Sequence, residues 1–534
     1  MVRSTILDAV HKALHGLGID NVPSGVTVER PANPDHGDWS TNASLVCAKM
    51  AKKNPRQLGE ELLAELEKAD IPHVDRLDIA GPGFINFVLA PTWLHEVLRE
   101  VVAQGTDRYA RLDIGGGLEI NLEFVSSNPT GPLHAGGGRW GAFGDSLARI
   151  LERCGYRPHR EFYINDRGTQ TTLFGQSLSA RKGGHDVPDG GYQGDYVTEW
   201  AKEMPDTADP AAWGIERALK EVEDSLAAMH VRFDTWSSER ALVASGAVEV
   251  ALEALRRSGH VYEKDDATWL ATSELGDDKD RVLIKADGEY TYLLPDIAYH
   301  HDKYNRGDII IDILGADHHG YVPRIRAALV FLGHEPNEYE AIIGQNVKLV
   351  RGGQEVKLSK RFGTMIAVDE LIDELGPDVT RFAYLTQSID TSQTIDIDVW
   401  KAQASENPVY YVQYAHARIH AIGREAEKRG IERAPLESVD LSGLVDPNEL
   451  AVLRHLLELE EVLLSAARDR APHRVTTWVR ELAAHFHSFY SHCPILRSDV
   501  DPDLQQARLW LVDASRVGLA IGLDLLGVEA PEQM

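Results

Sequence analysis

The densest chemistry in the sequence lies in Glu123-Phe-Val-Ser-Ser-Asn128-Pro-Thr-Gly-Pro-Leu-His134-Ala-Gly136-Gly137-Gly138-Arg139. A strand-like run ends here and helical spacing begins, and the glycines let backbone amides approach a ligand closely. A helix N-terminus carries unpaired N–H groups and the positive end of the peptide dipoles, and an imidazole beside small residues can hydrogen-bond a phosphate. The segment therefore suits a nucleoside triphosphate, with His134 as the side-chain contact. In isolation, His-Ala-Gly-Gly-Gly fits a tight strand–helix turn with a capping histidine equally well.

Three other segments carry reactive or charged side chains. Val356-Lys357-Leu358-Ser359-Lys360-Arg361 is, by itself, a solvated basic loop. In Thr291-Tyr-Leu-Leu-Pro-Asp296-Ile-Ala-Tyr-His300 the carboxylate stands among apolar neighbours, unlike an ordinary surface acid. Gly315-Ala-Asp317-His318-His319-Gly320 adds a third cluster, but adjacent histidines on a strand point to opposite faces and no zinc-ligand spacing appears. No protein metal site is expected.

The elements that must hold these groups follow from periodicity. Residues 118–125 alternate as a buried strand, and Trp140, Phe143, Leu147, Ile150 and Leu151 recur at helical spacing. Further strands at 281–285, 309–314 and 340–344 alternate with helical stretches. The fold class is therefore α/β, a doubly wound, Rossmann-type parallel sheet over 113–398, with 171–280 as an insertion. Before it, Ile6, Val10 and Leu14 mark a helix and 81–88 a strand, giving a small α/β domain over 1–112. Beyond residue 399 the pattern is helical, with Asp446-Pro447 opening a helix whose face carries Leu453, Leu456, Leu457 and Leu464. Residues 399–534 read as an all-α bundle.

Composition bounds the rest. The 534 residues are 43% hydrophobic and 26% charged, enough for two to four domains with their own cores. No apolar run spans a bilayer and the first residues form an amphipathic helix rather than a signal peptide, so the cytoplasm is the expected compartment. Three cysteines without Cys-x-x-Cys spacing suggest neither disulfides nor thiolate zinc. A net charge of -28 opposes non-specific polyanion binding, so any nucleic acid must meet a local basic surface.

The segment 123–136 closely resembles the signature of arginyl-tRNA synthetases, class I enzymes whose His-x-Gly-His motif holds ATP. His134 matches the first histidine of that motif; Gly137 stands where the second is expected, with Gly137 N–H or Arg139 as candidate replacements. Residues 356–361 look like the Lys-Met-Ser-Lys-Ser loop of the same class. The resemblance, which runs along nearly the whole chain, implies ATP contacts from Pro132, His134, Gly136, Gly137, Gly138, Lys357, Ser359 and Lys360. His134, Lys357 and Lys360 are the catalytic candidates, because ammonium groups closing over the phosphates stabilise charge that builds up in adenylate formation. ATP brings its own Mg2+, and no tightly bound cofactor is implied.

A guanidinium presents a planar fork of donors that pairs best with carboxylates. By resemblance, Glu123, Ser127, Asn128, Tyr292, Asp296 and Asp317 match arginine-binding positions, with Asp296 for the guanidinium and Glu239 a further acidic candidate. The implied partners are L-arginine, ATP and the tRNA for arginine. The N-terminal domain resembles the one that meets the tRNA elbow, and 407–419 resembles the anticodon-binding domain, with Tyr410, Tyr411, Tyr414 and Arg418 as RNA contacts or, equally, helix packing residues. Trp39 and Phe84 are assigned no base contact. A monomer is what the family implies. The alternative is a non-catalytic tRNA-binding or regulatory paralogue, favoured only by Gly137.

Overall fold

The computed structural model describes every residue except 1, 32, 34, 35, 357–365, 403 and 405. The chain forms two compact units, 1–105 with 426–457 and 485–517, and 106–425 with 458–484 and 518–534.

In the first unit, an antiparallel sheet orders Val28–Glu29, Trp39–Thr41, Phe84–Leu89 and Val74–Ala80 side by side, accompanied by helices Val2–Gly16, Ala43–Ala51 and Pro55–Lys68. The last helix starts where local chemistry demands: Asn54 accepts the Arg56 N–H and Pro55 occupies the first turn. Trp39 is buried in this domain's core, which removes it as a stacking platform, whereas Phe84 is exposed.

The second unit carries the parallel sheet. Its elements are β1 (Glu119–Glu123), α1 (Ala135–Arg153), β2 (Arg157–Ile164), β3 (Thr235–Ser238), α2 (Leu293–Lys303), β4 (Ile309–Gly315), α3 (Val322–Phe331) and β5 (Tyr339–Gly344). The strands lie in the order β5-β4-β1-β2-β3, all parallel. The chain winds outward from β1 to β3, then returns to build β4 and β5 on the other side. This puts the topological switch between β1 and β4, where open α/β sheets form their ligand crevice.

Burial explains why these strands read as apolar runs: Ile120, Leu122, Ile310 and Ile311 are fully buried. Helix α1 lies close to β1 because Gly144 gives room; a Cβ there would come within 2.3 Å of the Phe124 ring. After β1 the backbone turns sharply, with Val125 at φ 71 and Ser126 at φ 38. A β-branched residue in the left-handed region is strained, and such strain gathers at functional sites.

Two expectations change. Arg281–Ile284 is a strand, but it pairs antiparallel with Ala267–Leu270 in a separate three-stranded sheet rather than joining the parallel one. The stretch 171–280, read as an insertion, contributes β3 to the parallel sheet, and its four residues Thr-Trp-Ser-Ser are too short and polar to show a strand period.

After residue 399 the pattern is helical as expected, with Pro408–Lys428, Pro447–Leu457, Leu459–Arg468, His473–His492 and Pro502–Leu525. Asp446 accepts the Asn448 N–H at 2.8 Å, and Glu449 reaches back to the Asp446 N–H at 3.0 Å. Among the described residues, no helix is long and apolar enough to cross a membrane.

Candidate active site

A cavity of about 620 Å³ opens at the C-terminal ends of β1 and β4. Six of the residues expected to hold the amino acid line it: Glu123, Ser127, Asn128, Glu239, Tyr292 and Asp296. His134 and Gly137 line it from the start of α1, and His318 from the turn after β4. Asp317 does not; its side chain is 83% exposed on that turn. Tyr292, also 83% exposed, sits at the rim.

His134 is the N-cap of α1, and its Nδ1 accepts the Gly136 N–H at 2.9 Å. That bond fixes the neutral tautomer, leaving Nε2–H as a donor. Crowding by the surrounding protein lowers its pKa, so the ring stays neutral at physiological pH.

The first amides of α1 are not free, contrary to expectation. Ala135 N–H donates to the Ile366 carbonyl at 2.9 Å, Gly136 N–H to the His134 ring, and Gly137 N–H to the His134 carbonyl at 2.7 Å. The cap and a short antiparallel bridge between His134 and Ala367 take them up. Pro132 is buried off the cavity. Gly138 serves packing, since a Cβ there would lie 2.6 Å from Val368.

Arg139 cannot stand in for the missing histidine. Its side chain is fully buried and donates to the carbonyls of Gln345 (2.8 Å), Thr391 (2.9 Å) and Ser388 (2.7 Å), and burial lowers its pKa to about 10. Lys357, Ser359 and Lys360 lie outside the described residues.

Beneath the cavity, the sheet register sets three carboxylates in a row. Glu161 of β2 pairs with Glu123 of β1, and Glu123 with Asp312 of β4. Such neighbours repel unless cations cover them, and α2 with the residue three beyond it supplies His300, Lys303 and Arg306 at helical spacing. Arg306 makes two bonds to Glu161, at 2.9 and 2.8 Å. Lys303, fully buried, meets Asp312 at 2.6 Å and also touches Glu123. Burial disfavours the Glu161 charge, but Arg306, Lys303, Ser237 and Asn121 outweigh it and hold the pKa at about 2. Tyr299 donates to Glu123 at 2.9 Å and to Glu161 at 3.1 Å.

Asp296 and Glu239 stand apart from that row. Asp296 is one helical turn from His300, whose Nδ1 lies 3.2 Å from Asp296 Oδ1. Burial raises the Glu239 pKa, opposed by Arg167 at 3.8 Å. A partly desolvated carboxylate pair of this kind favours an incoming cation with several donors. Sequence reasoning assigned no site role to Tyr299, His300, Lys303 or Asp312; the one available signal was a charged Asp312 inside the apolar run Ile309–Gly315.

The Tyr410, Tyr414 and Arg418 side chains stack along helix Pro408–Lys428. The tyrosine rings are 6.1 Å apart at 8°, and the Arg418 guanidinium lies 4.5 Å over Tyr414 while donating to its hydroxyl at 2.8 Å. Tyr411, on the neighbouring face, is half-buried.

Comparison with known proteins adds three family matches. Residues 2–89 match the arginyl tRNA synthetase N terminal domain, 208–390 the catalytic domain of tRNA synthetases class I (R), and 412–534 the DALR anticodon binding domain. An arginine–tRNA ligase of Frankia alni is 44% identical over 547 residues, covering 99% of this chain and 98% of the relative. Another, of Carboxydothermus hydrogenoformans, is 42% identical, covering 95% and 94%. The Thermus thermophilus arginyl-tRNA synthetase superposes with a TM-score of 0.76 over the whole of both chains at 24% identity, a likeness of fold.

Proposed function

The chain belongs to the arginyl-tRNA synthetase family and is an arginine–tRNA ligase, and from that premise we propose that arginine and ATP meet in the cavity at the β1–β4 switch. Its substrates are arginine, ATP and tRNA. The observation that carries the site assignment is that Asp296, Glu239 and His134 line one cavity.

In this reading, Asp296 takes the guanidinium, with Glu239 adding negative potential and the Tyr292 hydroxyl closing from the rim. Ser127 and Asn128 meet the α-amino and carboxylate end, while Glu123, covered by Lys303, forms the floor. Asp317 flanks the mouth. His134 donates from Nε2 to the ATP phosphates, Gly136, Gly137, Gly138 and Pro132 shape the turn that presents it, and Lys357, Ser359 and Lys360 act from the segment outside the described residues. Mg2+ enters with ATP.

An arginine carboxylate oxygen bonds to the α-phosphorus as the bridging P–O bond breaks and pyrophosphate leaves. The 2′-hydroxyl of the terminal adenosine then attacks the carbonyl carbon, losing its proton, and AMP departs. Neutral His134 and the two lysines favour the charge that develops on the phosphate oxygens. Residues 1–112 meet the tRNA elbow, 113–398 hold the chemistry, and 399–534 meet the anticodon through Tyr410, Tyr411, Tyr414 and Arg418. The enzyme works as a cytoplasmic monomer.

The test is arginine-dependent exchange of pyrophosphate into ATP, with and without tRNA, with lysine as control. Exchange with arginine and not lysine supports the reading. Wild-type exchange that survives Asp296→Asn with an unchanged arginine KM sinks the site assignment.

A further inference from the structure

His300 is 7% exposed, and both of its ring nitrogens face oxygens that can only accept. Nε2 lies 2.8 Å from Asp312 Oδ2; Nδ1 lies 2.8 Å from the Asp296 carbonyl and 3.2 Å from Asp296 Oδ1. Satisfying both sides requires a proton on each nitrogen. We propose that His300 is a positioning residue of the arginine site, a doubly protonated imidazolium anchored on Asp312 that fixes the Asp296 carboxylate for the guanidinium. The inference rests on the reading of Asp296 as the guanidinium partner.

The groups around the ring agree with this charge. From its own helix it meets Asp296, Lys303 and the edge of Tyr299; from β4, Asp312; and from β5, Tyr339, whose ring is 5.7 Å away. Tyr321, in the turn that leads into α3, lines the same cavity as Asp296. Burial lowers the ring's pKa, but Asp296 and Asp312 more than offset burial and Lys303, raising it to about 10. A neutral ring would have to present a lone pair to a carbonyl or a carboxylate oxygen. Asp312 thereby joins two tasks: it neutralises Lys303 at the sheet and orients, through one imidazole, a carboxylate on the cavity wall.

The test is a double-mutant cycle in the full chain, reading aminoacylation at saturating tRNA. His300→Gln, which keeps one donor, is expected to raise the arginine KM about tenfold, the scale of one hydrogen bond to a charged group, with the ATP KM within about twofold. Asp296→Asn raises the arginine KM further, and the double variant is no worse than Asp296→Asn alone, because His300 acts through Asp296. Asp312→Asn is the second variant should His300→Gln fold poorly; removing the anchor charge raises the arginine KM in the same sense. Multiplicative effects, or ATP and arginine KM rising together, overturn the positioning role and leave the site reading standing. An unchanged arginine KM in Asp296→Asn overturns both.

Discussion

Lys303 Nζ stands 2.6 Å from Asp312 Oδ1 with both side chains at most 1% exposed, and the same ammonium covers Glu123 on the adjacent strand. One helix residue thus holds together two carboxylates that the sheet register makes neighbours.

Lys303→Met should therefore cost about 3–5 kcal/mol in urea unfolding, because it leaves buried charges unpaired. The pH dependence should weaken as well. In the native chain, burial opposes ionisation of Asp312 but Lys303 and His300 depress its pKa. Its contribution is then present above the ordinary carboxylate range and is lost as pH falls. Without the lysine only His300 is left to depress the Asp312 pKa, so the variant should lose less stability than the native chain as pH falls through the carboxylate range.

His134→Ala should lower pyrophosphate exchange by about 10²-fold, the scale of one lost donor at a developing charge. His134→Asn should keep the α1 cap, since its amide oxygen can accept the Gly136 N–H, and so restore stability without restoring exchange. Because crowding depresses the His134 pKa, the neutral ring persists above the unfolded value of about 6.5. Its contribution is lost as pH falls through the lower folded value. A flat exchange profile down to neutral pH, followed by an acid limb, is the expected result.

Gly137→His, which writes in the second histidine of the family motif, should lower exchange rather than raise it. A Cβ at 137 would lie 2.5 Å from Leu133 Cδ1, so the neighbouring side chain must move. Gly137→His combined with Leu133→Ala should recover part of the loss. A faster single variant would contradict the packing argument.

Arg139→Lys should reduce stability by about 2–4 kcal/mol, because one ammonium cannot reach three carbonyls and one or two are left without a donor. Thermal unfolding should report this, and the ATP KM should not rise selectively, as it would if Arg139 held a phosphate.

Tyr414→Ala should raise the KM for tRNA about tenfold, a stacking-sized effect, and leave tRNA-independent binding of arginine and ATP unchanged. It removes the middle member of the Tyr410–Tyr414–Arg418 stack. A stability loss with an unaltered tRNA KM would mark the stack as packing alone.

The sequence by itself determined the local and the repeated. The glycine-rich turn with His134 as cap, the apolar β1 and β4, the Asp446-Pro447 helix start and the helical C-terminal quarter were all legible, because each depends on neighbours a few residues away. Asp296 was legible as a carboxylate among apolar residues within one helical turn. Tertiary structure alone decided the rest. Glu123, Glu161 and Asp312 are distant in sequence and become adjacent only through strand register, and His300, Lys303 and Arg306 acquire their roles only when α2 packs over that row. Arg139 looked like a phosphate ligand until the loops at Gln345, Ser388 and Thr391 closed around it. Charge pairing in a buried sheet is set by which strands meet, and short polar β3 shows that a strand can be recruited by its neighbours with no period of its own to announce it.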